Sequence, residues 1–190
     1  MMDVMRITIR DGGPADIPVM LGMLDSSVEW LVSQGRTRQW GTAPLSKQTR
    51  TVESVTRYMT EGDVFLAEAD GVPAAALTLT DSPGAYLAHL PPPGEPERYI
   101  HWLASDRRFK GHGLGSALLA HAAEATRQAG VDLLRVDCYA GDDRRLVAYY
   151  EANGFTPTQT YTVGEHAWPG QVLARRVRLP APSAGRRPAG

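Results

Sequence analysis

Hydrophobic and polar residues follow two different spacings along the chain, and their alternation predicts an α/β fold. Apolar residues recur every three or four positions from Ile17 to Gly35 and, more weakly, from Lys47 to Met59, which predicts two amphipathic helices. Short apolar runs closed by polar residues predict strands at Arg6 to Arg10, Asp63 to Ala69 and Ala74 to Thr80. The first part of the chain therefore supplies both helices and strands.

The remainder of the chain is also predicted to form both strands and helices. Asp70-Gly71 predicts a tight hairpin between the second and third strands, and the Pro-rich stretch within Asp81 to Arg98 predicts a long loop. The later predicted elements are a strand at Tyr99 to Ala104, a helix at Ala117 to Ala129, a strand at Leu133 to Tyr139, a helix at Arg144 to Asn153, and strands at Phe155 to Val163 and Gln171 to Leu179. We predict one domain over residues 1–179 and a disordered tail over residues 180–190, which holds too few apolar residues to fold.

Composition narrows the classes of protein that fit. The chain has 190 residues, of which 43% are hydrophobic and 22% charged, as expected for one globular domain. A net charge of −1 argues against a protein that binds nucleic acid or a membrane surface. Cys138 is the single cysteine, which excludes an intrachain disulfide and favours a reducing compartment. With no signal-peptide pattern and no apolar span, we expect a cytoplasmic protein, and its many Arg and Ala residues suggest a bacterial genome rich in GC.

A glycine-rich turn carries the strongest chemical signal. The stretch from Tyr99 to Ser116 reads as a strand, a polar turn and then Gly111, Gly113 and Gly115, with a helix beginning at once. Glycines at alternate positions leave backbone N–H groups uncovered, and a helix N-terminus adds a positive dipole end. Together these features predict a binding site for phosphate.

Several nucleotide folds share this local order, so the pattern must be compared with each. The dinucleotide fingerprint fails because Ser116 stands where a third small apolar residue is required, and no Gly-Lys-Ser or Gly-Lys-Thr follows to make a P-loop. The stretch resembles motif A of the GCN5-related N-acetyltransferases, the GNAT superfamily. In the register with the usual spacing to the strand and helix, Lys110 replaces the family's Gln or Arg. The alternative register, from Arg108 to Gly113, matches the residue types of the motif but lies too early in the chain relative to the helix.

A second motif supports the same resemblance. The segment from Tyr150 to Phe155, with the sequence YEANGF, is similar to the family's motif B signature Tyr-Glu-x-x-Gly-Phe and lies at the expected distance from motif A. The resemblance extends from about Arg6 to Leu179 and is sharpest between Tyr99 and Phe155. It implies a mixed sheet of about seven strands with four helices, and a V-shaped splay between the fourth and fifth strands.

The resemblance also implies roles for particular residues. Backbone groups of Leu103, Ala104 and Ser105 would bind the pantetheine of acetyl-CoA, and an N–H near Leu103 would hold the oxyanion. Tyr150 would protonate the departing CoA thiolate, and Asp143 stands where many members have an Asn that contacts the cofactor. The pyrophosphate would be bound by Lys110, Gly111, His112, Gly113, Leu114, Gly115 and Ser116.

The acceptor side is less defined by the sequence. Trp40 and Gln39 lie in the region that lines the acceptor site in the family, although Trp40 could equally cover the sheet edge. His101 is our candidate for the base that removes the amine's proton, with Glu29 or Glu68 acting through water as rivals. The long loop adds further polar residues, whose acidic members could attract a cationic amine or simply be solvated: Tyr86, His89, Glu95 and Glu97.

The resulting hypothesis is a single-domain N-acetyltransferase. It would move an acetyl group from acetyl-CoA to a primary amine of a small molecule, by direct attack in a ternary complex and with no metal. A protein N-terminus or lysine as acceptor, a non-catalytic acyl-CoA-binding regulatory module, and an enzyme acting on aminoacyl-tRNA are the alternatives. The family resemblance also makes a homodimer through the last two strands an expectation.

Overall fold

The computed structural model describes residues 5–178, so the predicted tail at 180–190 lies outside the described residues. Four α-helices and seven strands form the fold within these residues. In chain order they are β1 (Ile7–Asp11), α1 (Ile17–Ser33), α2 (Thr49–Glu61), β2 (Asp63–Ala69), β3 (Val72–Thr80), β4 (Glu97–Ser105), α3 (Leu114–Gln128), β5 (Leu133–Tyr139), α4 (Arg145–Ala152), β6 (Thr156–Val163) and β7 (Trp168–Arg176). The predicted α/β class is confirmed.

The strands form one mixed sheet in the order β1-β2-β3-β4-β5-β7-β6. Every neighbouring pair is antiparallel except β4 and β5, which are parallel and connected through α3. Successive strand residues face opposite sides of the sheet, so Phe65 packs with α3 and α4 whereas Leu66 packs with α1 and α2. Helices therefore cover both faces. No helix in residues 5–178 is long and apolar enough to cross a membrane.

Most boundaries differ from the sequence-based predictions by one to three residues. The predicted hairpin is present, with Asp70 and Gly71 both at positive φ (50° and 81°), as expected for a two-residue turn between twisted strands. β3 begins directly after this turn at Val72 rather than at Ala74, because Pro73 is tolerated within the strand beside an irregularity in the β2–β3 register. The last strand lies three residues earlier than predicted, at Trp168–Arg176.

The sheet opens between its two parallel strands. β4 pairs with β5 only from Glu97↔Leu133 to Ile100↔Val136. Beyond that point β4 continues along β3, to Ser105 opposite Ala75, while β5 continues along β7. The predicted V-shaped splay between the fourth and fifth strands is thus confirmed.

A bulge in β4 accompanies this opening. Opposite β3, the pairs Thr78↔His101 and Ala76↔Ala104 leave an extra residue on β4. Trp102 within the bulge has φ of 49°, a left-handed conformation that is strained for a bulky side chain. Its indole Nε1 donates a hydrogen bond to Ser54 Oγ on α2, 3.1 Å away. The bulge consists of Trp102 and Leu103 and lies just beyond the point where the sheet opens.

Candidate active site

A cavity of about 690 Å³ occupies the splay between β4 and β5. Its wall combines residues from both sides of the sheet, because nothing closes the sheet between the separated strands. The α3 and α4 side supplies Leu114, Gly115, Ser116, Leu146, Tyr149 and Tyr150, and the opposite side supplies Gln39, Trp40, Ser54, Tyr58, Tyr86 and Trp168. Ligands entering from the two faces of the sheet can therefore meet inside it.

The glycine turn forms one end of this cavity. Gly111 and Gly113 have φ of 90° and 73°, which glycine adopts without strain, and a Cβ built on either meets no atom within 4 Å. Gly113 immediately precedes α3, so the free N–H groups of the helix start open onto the cavity. Gly115 differs, because a Cβ there would lie 2.3 Å from the Tyr149 hydroxyl. The turn fits an anionic group that approaches the backbone closely.

Two cations lie beside this turn, on the ring of Trp30 from α1. The Arg107 guanidinium carbon is 3.7 Å from the ring centroid and Lys110 Nζ is 5.4 Å from it. Neither cation forms an ion pair with a carboxylate in the described part of the chain. Arg107 Nε is buried without a hydrogen-bond partner among the described residues, and burial lowers the pKa of Arg107. Positive charge is thus available for phosphate.

Tyr150 projects from α4 into the cavity and is only 5% exposed. Its ring packs edge-on against Phe155, with centroids 5.7 Å apart, which fixes the direction of the hydroxyl. That hydroxyl has no hydrogen-bond partner within residues 5–178. Burial raises the pKa of Tyr150 well above its usual value, so the phenol holds its proton. A neutral, unpartnered phenol of this kind can donate a proton to a leaving group.

His101 lies on β4 at the start of the splay and is 6% exposed. Its ring stacks on Tyr58 with centroids 3.8 Å apart. Nε2 lies 3.1 Å from the Ser82 carbonyl oxygen and 2.9 Å from Thr80 Oγ1, and a carbonyl can only accept, so Nε2 carries the hydrogen. Burial lowers the pKa of His101 to about 4. The imidazole is therefore neutral at physiological pH.

Comparison with known proteins identifies the family. The profile of the acetyltransferase (GNAT) family matches residues 27–155, more than half of the chain. The chain belongs to the GNAT acetyltransferase family. It is accordingly an acyl-CoA-dependent acyltransferase, as the two sequence motifs predicted.

Individual GNAT proteins resemble the chain over nearly its full length. The uncharacterised N-acetyltransferase YesJ of Bacillus subtilis (strain 168) is 29% identical over 175 residues, covering 88% of this chain and 94% of YesJ. The structure of yncA from Salmonella typhimurium, determined with acetyl-CoA, has a TM-score of 0.60 at 17% identity and covers 94% of this chain and 98% of that one. The ribosomal-protein-S18-alanine N-acetyltransferase of Escherichia coli gives 0.63 at 18%, covering 94% and 98%. These structural likenesses establish the GNAT fold.

Most of the predicted site residues come together around the GNAT cavity. Its wall includes Gln39, Trp40, His101, Leu103, Ala104, Ser105, Lys110, Gly111, Gly113, Leu114, Gly115, Ser116 and Tyr150. His112 and Asp143 are not part of the wall. Asp143 instead accepts hydrogen bonds from Arg145 (Nε at 2.6 Å) and lies 3.6 Å from Arg36, because its positive φ of 63° turns it toward these cations.

The rival carboxylates also lie away from the GNAT cavity. Glu68 pairs with Arg10 at 2.7 Å on β2, and Glu29 is exposed on α1. In the long loop and the start of β4, Glu95 and Glu97 pair with arginines rather than face a ligand; Glu97 is buried against Arg135 at 2.9 Å. Tyr86 from the same loop does reach the cavity, whereas His89 does not.

Sequence reasoning missed a polar cluster on β5 at the cavity wall. Asp137, on β5, accepts hydrogen bonds from the hydroxyls of Tyr86, Tyr99 and Tyr161. Asp137 lines the cavity with Tyr86 and Tyr161. Trp168 closes the same side, and its Nε1 donates to the Gln39 carbonyl oxygen at 2.8 Å. The signal in the sequence was a carboxylate inside the apolar run LLRVDCY, where an unpaired charge is unfavourable.

Proposed function

We propose that the protein transfers the acetyl group of acetyl-CoA to a primary amine of a small molecule, by direct attack within a ternary complex. The observation that carries this proposal is a cavity that passes through the sheet and has opposite charges at its two ends. Asp137 follows directly on Val136, the last β5 residue paired with β4. Arg107 and Lys110 follow the free end of β4, whose last five residues, 101 to 105, extend beyond this pairing by about 15 Å. An anionic donor and a cationic acceptor therefore have separate places.

On the donor side, the splayed end of β4 would hold the pantetheine arm. Residues Leu103 to Ser105 have no β5 partner in the described sheet, so their backbone groups on that edge can bond the amides of a ligand as an added strand would. The N–H groups at Gly111, Gly113 and the start of α3, with Lys110 nearby, would bind the pyrophosphate. The open space at the turn supports this assignment, because no side chain of Gly111 or Gly113 stands between the backbone N–H groups and a ligand.

For the chemical step, the bulge in β4 supplies the electrophilic assistance. The N–H near Leu103, within this bulge, would stabilise the oxyanion formed as the amine nitrogen attacks the thioester carbon. Tyr150 would then give its phenolic proton to the departing thiolate as the carbon–sulfur bond breaks. His101, the base candidate of the sequence analysis, lines the cavity, but burial lowers its pKa to about 4 and makes it a weak base, so we assign the proton lost by the amine to water in the cavity.

Tyr150→Phe tests this assignment, with Tyr149→Phe as a matched control on the adjacent residue. We expect Tyr150→Phe to lower kcat by about 10²-fold, as is typical when a general acid is lost, while Tyr149→Phe leaves kcat nearly unchanged. Release of CoA from acetyl-CoA is followed with a panel of small amines and a panel of peptides. Calorimetric titration with acetyl-CoA should give the same affinity for wild type and Tyr150→Phe.

Three results would contradict different parts of the proposal. Full turnover in Tyr150→Phe would exclude this tyrosine as the acid. Tight binding of acetyl-CoA without CoA release for any amine would favour a non-catalytic acyl-CoA-binding module. Acetylation of peptides alone would move the acceptor class to protein termini or lysines. Cytoplasmic location and a homodimer through the edge strand β6 stay predictions, the second tested by mass measurement in solution.

A further inference from the structure

Asp137 is held in place from three separate elements. Its Oδ1 accepts hydrogen bonds of 2.8 Å from the Tyr86 hydroxyl, in the loop before β4, and from the Tyr99 hydroxyl on β4. Its Oδ2 accepts one from the Tyr161 hydroxyl on β6. A carboxylate has about four acceptor positions, so three tyrosines leave roughly one unused. The side chain is thus oriented without being saturated.

The negative charge of this group has no cationic partner. Within residues 5–178, no Lys, Arg or His lies within 4.0 Å of the Asp137 carboxylate. The tyrosines do not neutralise it, because burial, followed by the charge of Asp137, raises the pKa of both Tyr99 and Tyr161 and keeps them protonated. Asp137 is also the one carboxylate among the described residues that lines the cavity. Such a group favours a cation as its ligand.

A cluster of aromatic rings lines the same cavity as Asp137, formed by Tyr86, Tyr161 and Trp168. The Tyr86 and Tyr161 ring centroids are 6.1 Å apart, and those of Tyr161 and Trp168 are 6.3 Å apart. The Tyr161 ring can lie this close to β7 because Gly170 has no side chain; a Cβ there would be 2.1 Å from the ring. Ring faces attract cations and exclude water, which strengthens a nearby charge pair.

We propose that Asp137 and this ring cluster bind the acceptor as a protonated amine, so that the substrate class is a small cationic amine. The inference rests on the proposed function. Asp137 is a binding and orienting group here: it accepts a hydrogen bond from the ammonium at the unused position and selects for positive charge. The nitrogen attacks only after the ammonium has lost a proton to water. The competing explanation is purely structural, in which Asp137 only ties the long loop to β4 and β6.

Asp137→Asn separates these explanations, since asparagine retains an acceptor oxygen for the tyrosines but has no charge. We expect the KM for the best cationic amine to rise by about 10- to 100-fold, as for loss of a buried charge pair, with the affinity for acetyl-CoA unchanged within about twofold. Glu165→Gln is the matched control: it makes the same carboxylate-to-amide change at an exposed position in the β6–β7 turn, outside the cavity wall, and we expect it to leave the amine KM unchanged.

A second measurement does not depend on the variant folding. Inhibition of the wild-type protein is compared for the amine's isosteric alcohol and for a non-acetylatable tertiary amine of similar size. We expect the tertiary ammonium to bind at least about tenfold more tightly than the alcohol, in line with a charge-assisted hydrogen bond. Asp137→Asn should abolish that preference.

The outcomes distinguish this inference from the function on which it rests. If no amine yields CoA release, the proposed function fails. If amines are acetylated but Asp137→Asn leaves the amine KM unchanged, or alcohol and ammonium inhibit wild type equally, Asp137 is a structural tie and the inference is overturned.

Discussion

Protonation of His101 should make stability depend on pH in a range where few other groups in the core titrate. The ring lies between Tyr58 and Tyr99, with centroid distances of 3.8 and 5.2 Å. Burial lowers its pKa from 6.5 to about 4, opposed by the bond to Ser82 and the charge of Asp137 and assisted by Arg57 on α2. His101 is therefore buried in its neutral form.

The sign and size of the effect follow from linkage. Because the folded-state pKa lies below the ordinary value, the unfolded chain binds the proton first as the pH falls. The stabilisation contributed by the neutral form of His101 is complete above about pH 6.5 and is lost as the pH falls toward 4. It totals about 3 kcal/mol for a pKa difference of about 2.5. Between about pH 7.5 and pH 5, the free energy of unfolding should fall by about 2 kcal/mol from this group.

His101→Gln isolates this contribution, since glutamine can donate to the Ser82 carbonyl but does not titrate. Urea unfolding is measured for wild type and variant at about pH 7.5 and pH 5, where carboxylates contribute equally to both proteins. The destabilisation caused by the substitution should be about 2 kcal/mol smaller at the lower pH. His166→Gln, at an exposed position in the β6–β7 turn, is the control. An equal destabilisation at both pH values would refute a buried, neutral His101.

Three further predictions concern other parts of the molecule. Lys110→Ala should weaken acetyl-CoA binding by about tenfold in calorimetry, because a charged hydrogen bond to phosphate is lost; unchanged affinity would exclude that contact. Gly170→Ala should raise the amine KM but not the acetyl-CoA affinity, since its Cβ displaces the Tyr161 ring. Arg135→Met should destabilise the fold by about 3–5 kcal/mol by leaving Glu97 buried and unpaired, and Glu97→Leu in the same chain should restore much of it in urea unfolding.

Local signals made the fold largely predictable from the sequence. The apolar runs and the Asp70-Gly71 turn depend on near neighbours, which is why β2 and β5 match their predicted bounds. The strand ends at Val72 and Trp168 were missed because pairing with β2 and β6 extends the strands through residues whose own preference is weak, Pro73 and Gly170 among them.

The candidate site was predictable where a motif spans contiguous residues. The stretch from Lys110 to Ser116 and Tyr150 needed only the family patterns, and all but His112 of these residues reach the cavity. Asp137 could not be found in this way, because its three tyrosines come from positions 86, 99 and 161 and meet only when the sheet is formed. Asp143 as a cofactor contact stays a prediction: the residue lies outside the cavity wall and pairs with Arg36 and Arg145, which the sequence pattern did not indicate.

The opening of the sheet after Ile100 divides the cavity wall into two parts, which we assign to the acetyl donor and to the amine acceptor. The donor half consists of one continuous segment, from the free end of β4 into α3, so its geometry is fixed by short-range structure. The acceptor half is assembled from the segment holding Gln39 and Trp40, the loop holding Tyr86, and the β6–β7 hairpin. Grafting these three pieces from another member of the family should retarget the amine while leaving the acetyl-CoA half intact, which makes this chain a divisible scaffold for engineering acylation.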